Sequence, residues 1–177
     1  MACSITITGR AFPCKDAIGG VKRIWVKEFN PADWGAVTSG AIADAEAAIT
    51  LYGFEVAKNS SYLTETITAS VENGTIFYSQ EISVTFPKLT AADQAKLYDL
   101  AKSRLCVVVQ DNNDNYWICG LRRGVEITGG THQTGTATGD LNGYQLTLTA
   151  EEAIPAASLT YATAAAPTGD VTFTAGS

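Results

Sequence analysis

The stretch YLTETITASVENGTIFYSQEISVTFP, residues 62–87, decides the fold of this chain. It alternates apolar and hydroxyl side chains on both sides of Asn73-Gly74. Strict alternation is the signature of a strand with one face toward a core, and Asn-Gly is the strongest short hairpin signal, because a type I′ turn needs positive φ at both central residues. With Glu72 opposite Thr75, two strands pair over about ten residues each, longer than the usual five or six. Leu63, Ile67, Ala69 and Val71 then share a face with Ile76, Tyr78, Ile82 and Val84. Thr64, Thr66, Thr68 and Ser70 share the other with Phe77, Ser79, Glu81, Ser83 and Thr85.

A helix is expected directly after the hairpin. Thr90-Ala91-Ala92-Asp93 resembles a capping box with Asp for Glu, and residues 91–104 are mostly good helix formers. Leu97, Leu100, Ala101 and Leu105 recur at three- and four-residue spacing, a stripe suited to packing on a sheet. Lys102 and Arg104 stand in the last turn, where cations oppose the dipole.

Beyond this unit, short strands dominate, at 4–8, 21–29, 105–110, 115–121, 124–128 and 143–150. In the last, Tyr144, Leu146, Leu148 and Ala150 face one way, and Gln145, Thr147, Thr149 and Glu151 the other. The chain is Ala-rich between Asp33 and Tyr52, and 41–51 reads as a helix by propensity or as a loop carrying a short strand. The order predicts a mainly β chain with one α-helix, an antiparallel β-sandwich or rolled barrel with a long hairpin and a single flanking helix. The main domain spans 1–155, and 156–177 is an extended C-terminal arm or tail with a short strand expected at 171–174.

At 177 residues the chain is long enough for a real core. It carries 12 Lys and Arg against 18 Asp and Glu, a net charge of −6, with only 17% charged residues. Low charge with 46% hydrophobic residues argues against disorder, and the acidic balance against gripping nucleic acid by its phosphates. A single His and no acid–base–nucleophile cluster argue against an enzyme, so no catalytic residue, cofactor or metal is assigned. Met1–Thr8 has no basic leader or apolar run of signal-peptide type, and no stretch of eighteen apolar residues occurs. Synthesis in a reducing cytoplasm without membrane insertion is the expectation.

The motifs that mimic chemistry read better as structure. Asp111-Asn112-Asn113-Asp114-Asn115 begins like a calcium loop, but Tyr116 stands where Gly is needed and Arg122 where Glu is needed, leaving a polar turn. Gly19-Gly20, Gly129-Gly130 and the glycines of 135–143 lack the Lys-Ser/Thr of a phosphate loop and read as turns, with His132 in an exposed loop. Cys106 and Cys119 sit in apolar runs as buried thiols, while Cys3 and Cys14 flank a loop and can approach each other. Lys22, Arg23, Lys27, Arg122 and Arg123 are too few for a duplex footprint and read, with Trp34, as contacts to a neighbouring copy.

The succession of long hairpin, helix 89–104, strand 105–110, polar turn, Tyr116-Trp117-Ile118-Cys119-Gly120 and Gly135-Thr136-Ala137-Thr138-Gly139-Asp140-Leu141-Asn142-Gly143-Tyr144-Gln145-Leu146-Thr147-Leu148 resembles the tail tube, or major tail, proteins of tailed bacteriophages. Cys3, Gly9, Cys14 and Gly19-Gly20 resemble the opening of tube proteins of phages infecting Bacteroidetes-type bacteria. The resemblance covers most of residues 1–155. It implies stacked, hexameric rings forming a virion tube through which the genome passes. The implied partners are further copies of the chain, tape-measure, tail-terminator and baseplate or tip proteins, a sheath in contractile tails, and double-stranded DNA passing without tight binding. On this reading Thr64, Thr66, Thr68, Ser70, Ser79, Glu81, Ser83 and Thr85 line the lumen; otherwise the same face is a solvated sheet surface. Segments 33–51, 128–142 and the tail would bridge rings. A carbohydrate- or protein-binding β-sandwich, such as an adhesin or decoration module, and a related tail-completion or secretion-system tube protein are the competing readings.

Overall fold

Two antiparallel-rich sheets pack face to face in the computed structural model, which describes residues 9, 10, 12, 14–42, 45, 46, 48–88, 90–160 and 171–174. The strands are β1 (Val21–Glu28), β2 (Ala41–Ile42), β3 (Ile49–Glu55), β4 (Tyr62–Ser70), β5 (Thr75–Pro87), β6 (Leu105–Asp111), β7 (Tyr116–Cys119), β8 (Glu126–Gln133), β9 (Gly143–Glu152), β10 (Ala157–Leu159) and β11 (Val171–Thr174). The one helix among the described residues is α1 (Ala91–Lys102). The chain is thus mainly β with a single helix and curled sheets, and no helix among the described residues is long and apolar enough to cross a membrane.

One sheet has seven strands in the order β11-β3-β1-β6-β7-β10-β2; the other has four, β4-β5-β9-β8. Alternation sorts the core into two clusters. Ile24 and Val26 of β1 and Val107 and Val109 of β6 meet Ile82 and Val84 of β5 and Leu148 of β9 between the sheets. Trp25, Cys106, Val108 and Ile118 point the other way and close with Trp34, Leu51, Leu159 and Val171 over a second core. β6, buried on both faces, is the near-continuous apolar run LCVVV.

Several expectations are revised here. Of the two readings of 41–51, the helix gives way to the strand where described: the segment supplies β2 and the start of β3. The stretch 156–177, expected as an arm, places Ala157, Leu159 and Val171 in the second core, with β10 parallel to β2 and β11 parallel to β3. Gly129 and Gly130 are not a turn but lie within β8, and His132 belongs to that strand, stacked on Tyr144 at 4.9 Å. The strand expected at 4–8, Cys3 and its pairing with Cys14 lie outside the described residues. The polar turn forms as expected: Asp111 Oδ1 accepts from the backbone N–H groups of Asn113 at 2.8 Å and Asn115 at 2.9 Å. Burial disfavours the Asp111 carboxylate, but those bonds and the Asn115 side chain outweigh it and hold the group below the usual range.

α1 starts where Thr90 Oγ1 accepts from the Asp93 N–H at 3.1 Å. Its stripe lies over the sheet through Leu97 and Leu100, yet no residue of the helix is fully buried. Between the helix and β8 an open groove of about 700 Å³ remains, lined by Ala95, Tyr98, Gly130, His132, Tyr144 and Leu146 among others.

The cysteines give a direct check. Burial pushes the Cys106 thiol up to about 12 and the Cys119 thiol up as well, so neither forms the reactive thiolate near neutrality. Cys14 is exposed. Native protein treated with a maleimide at pH 8 should be labelled at Cys14 and not at Cys106 or Cys119 until denaturant is added. Peptide mass spectrometry showing early labelling of either buried thiol would contradict this core.

Candidate functional site: an open four-stranded sheet

The four-stranded sheet is distinctive in charge, edges and reach. None of its strands carries a Lys or Arg, against the five carboxylates Glu65, Glu81, Glu126, Glu151 and Glu152. Among the described residues its outer strands β4 and β8 have no neighbour on one side, and neither contains Pro or Lys, the usual protections of an exposed edge.

The hairpin pairs Ser70 with Thr75, Thr66 with Ser79 and Thr64 with Glu81. This register differs by two residues from the one expected, because the chain turns over four residues, 71–74, in which Gly74 alone has positive φ. A slip of two preserves the faces. The hydroxyl face therefore exists as read, and β9 and β8 extend it: Ser79 lies opposite Glu151, Glu81 opposite Thr149, and Thr149 opposite Glu126. Thr149 and Thr128 hydroxyls meet at 3.3 Å.

The expected lumen residues divide. Thr64, Thr66 and Thr68 are exposed, while Ser70, Ser79 and Glu81 are half-buried. Ser83 and Thr85 are not available on this face: both are buried, and Thr85 donates from its hydroxyl to the Ser60 carbonyl and from its N–H to Ser61 Oγ. The loop 57–61 covers that end of β5. Tyr62, missed by sequence reasoning because it opens the strand, joins the face and donates to Glu81 Oε1 at 2.8 Å. The neighbouring carboxylate raises the Tyr62 phenol above its ordinary value. Glu126 accepts from Arg104 Nε at 3.2 Å at the β8 edge, the one cation among the described residues ion-paired to this face.

The apolar face changes character along its length. Near the base, Ile82 and Val84 are fully buried. Toward the turn the face leaves the body: Ile67 is 61% exposed, Ile76 55% and Val71 97%. A polar latch marks the crossing. Gln80 donates to Glu65 Oε2 at 3.0 Å and accepts from the Gly120 N–H at 3.0 Å, and Glu65 Oε2 also accepts from the Ala156 N–H at 2.7 Å. Beside it, buried Glu152 takes the N–H groups of Arg122 and Arg123 on Oε1, at 2.9 and 2.8 Å. Half-buried Glu65 thus ties the hairpin to the body and buried Glu152 ties β9 to it, since losing those backbone donors would leave a desolvated charge without partners.

The residues expected at contacts between copies are largely used inside the chain. Lys27 pairs with buried Asp33, Lys22 with Asp114 at 2.7 Å, and Arg23 with Glu55. Trp34 is 3% exposed and donates from Nε1 to Cys106 Sγ at 3.2 Å. Arg122 reaches the Gly35 carbonyl at 3.4 Å, and Arg122 and Arg123 stay exposed. Among the described residues no group of three or more His, Cys, Asp or Glu is gathered so as to hold a metal ion.

No family model, curated protein or solved structure matches this chain.

Proposed function

We propose that the chain is the structural subunit of a bacteriophage tail tube, joined edge to edge into rings that stack around a DNA-conducting bore. The observation that carries this reading is the four-stranded sheet, with two edges open among the described residues and one face of hydroxyls and carboxylates to which its strands contribute no Lys or Arg. β4, β5, β9 and β8 alternate in direction, so an even number of strands lets β4 of the next copy continue the antiparallel order beside β8. Edge-to-edge joining also removes the exposed edges.

Six copies would make a barrel about 45 Å across its backbone, given ~4.8 Å between strands and the usual tilt. Barrels of far fewer strands already enclose an aqueous channel. Six copies at −6 carry roughly −36 per ring, and a bore faced with Thr, Ser and Glu offers phosphates repulsion and no ion pair. The duplex would slide rather than stick. Stacking of rings uses heterologous contacts, which extend without limit.

Negative-stain microscopy of the purified full chain across a concentration series tests the reading. Rings or short tubes with a central hole are the expected result. A monomer at every concentration would overturn it and favour a binding β-sandwich, and rings that never stack would favour a tail-completion or secretion-system relative.

A further inference from the structure

We infer that the exposed apolar tip of the β4–β5 hairpin inserts into the groove between α1 and β8 of the adjacent copy in the ring. This rests on the edge-to-edge reading above. Both partners of the contact are present on one chain. The knob is Ile67, Val71 and Ile76, each more than half exposed. The hole is the groove of about 700 Å³ under Tyr98, with no formally charged side chain in its lining. An exposed apolar cluster and an uncharged groove on the same molecule form a heterologous pair, which propagates from copy to copy.

The faces agree. Ile67 lies opposite Tyr78 on the face that carries Ile82, and Ile82 lies in line with Leu148 and Ile127. Val84 lies in line with Leu146 and Gly130. Knob and hole are therefore on the same side of a joined sheet, the side away from the hydroxyls.

The levels agree as well, once the barrel closes. On the β5 scale Ile67, the part of the knob nearest the body, stands at Tyr78 and the hole at Ile82 to Val84, a gap of four to six residues; Ile76 and Val71 lie further toward the turn. Thr85 turns its N–H and C=O toward Ser61 and Ala57, on the β4 side. Even-numbered β5 residues thus turn theirs toward β9. For L-residues this places β4 on the left and β8 on the right when the apolar face is viewed with β5 running upward. Closed barrels tilt their strands right-handedly by about 35–45°. With the apolar face outward, that tilt lifts the right-hand neighbour along the strands, toward the hairpin base. Over four strands ~4.8 Å apart, at ~3.3 Å per residue, the lift is about four to six residues. It carries Ile67 of the right-hand copy to the level of Ile127 and Gly130. With the hydroxyl face outward the lift would run the other way and separate them. At Gly130 the space a side chain would take is filled by Leu146, whose side chain forms part of the groove wall the incoming Ile would meet.

Two proteins test the contact, both with Cys3 and Cys14 replaced by Ser and with Cys106 and Cys119 left in the core, where they are buried: Ile67→Cys and Tyr98→Cys. They are mixed, allowed to assemble, treated with a short bis-maleimide, and inspected by gel and by microscopy. The expected result is a cross-linked heterodimer at least 10-fold above either protein alone, together with rings. Rings without the heterodimer overturn this contact and leave the tube reading standing. The heterodimer without rings keeps the contact and overturns ring closure. Neither rings nor heterodimer, with both variants melting within a few degrees of the parent, overturns both.

Discussion

Proline at Ala69 or at His132 should abolish ring formation while leaving the subunit folded. Along an edge strand, successive N–H groups point alternately into the sheet and away from it. Since Thr85 and the other odd-numbered β5 residues direct theirs toward β4, the even-numbered β4 residues opposite them, such as Thr66 and Thr68, point inward. Ala69 then points outward. Through β9 the same alternation turns Thr131 inward and His132 outward. A proline whose lost N–H faced solvent costs an edge strand little, but it removes a donor and adds bulk where a second strand would join. Thr68→Pro, which breaks an inward bond, is the contrasting control and should destabilise the hairpin itself. Sedimentation velocity should show Ala69→Pro and His132→Pro as monomers at concentrations ten times above the parent's assembly threshold, with thermal midpoints near the parent's. Rings formed normally by both variants would exclude β4 and β8 as the joined edges.

Charge reversal on the hydroxyl face should convert a passive bore into a DNA-retaining one. Thr66, Ser79 and Glu81 are the positions to change to Lys. They lie on one face, Thr66 directly opposite Ser79, and none is fully buried. Ser83, attractive from alternation alone, is buried and would report on folding instead. The triple variant moves each chain by four charges, and a ring of six by about twenty-four in the region a duplex would traverse. Tubes of the variant should retain linear duplex DNA on filters at low salt, with affinity falling steeply as salt rises, as counterion release requires. Parent tubes should retain none. Equal behaviour of the two would place this face on the outside of the assembly.

The hairpin was legible because two periodicities in it agree, and because its error was harmless. The turn spans four residues rather than two, yet a slip of two residues keeps every side chain on its face. The hydroxyl face of β9 was readable for the same reason. Its continuation in β8 was not, since Gly129-Gly130 is turn chemistry by composition and strand by context: each lies opposite a β9 residue that supplies its ladder partner. Segment 41–51 stayed open between helix and strand because alanine propensity favours the first, and tertiary pairing decides for the second. The burial of Ser83 and Thr85, and of Trp34 against Cys106 from 72 residues away, depends on segments distant in sequence, which no local pattern encodes. The same holds for the latch at Gln80, where the Gly120 N–H arrives across 40 residues. The exposed tip of the apolar face was visible as sequence but not as exposure, because alternation reports which way a side chain points and not whether anything meets it.

The unprotected edges have a consequence for the life of the subunit before assembly. β4 and β8 are free of Pro and Lys and offer rows of unpaired backbone groups, and an apolar tip stands beside one of them. Proteins that persist as monomers blunt such edges. A chain that leaves both bare trades shelf life for readiness: newly made copies compete between the correct neighbour and any stray strand, and the outcome depends on how soon a correctly oriented neighbour arrives. Recombinant yield should therefore depend on expression rate, with slow, cool synthesis giving ordered particles and fast synthesis giving insoluble strand-paired aggregates.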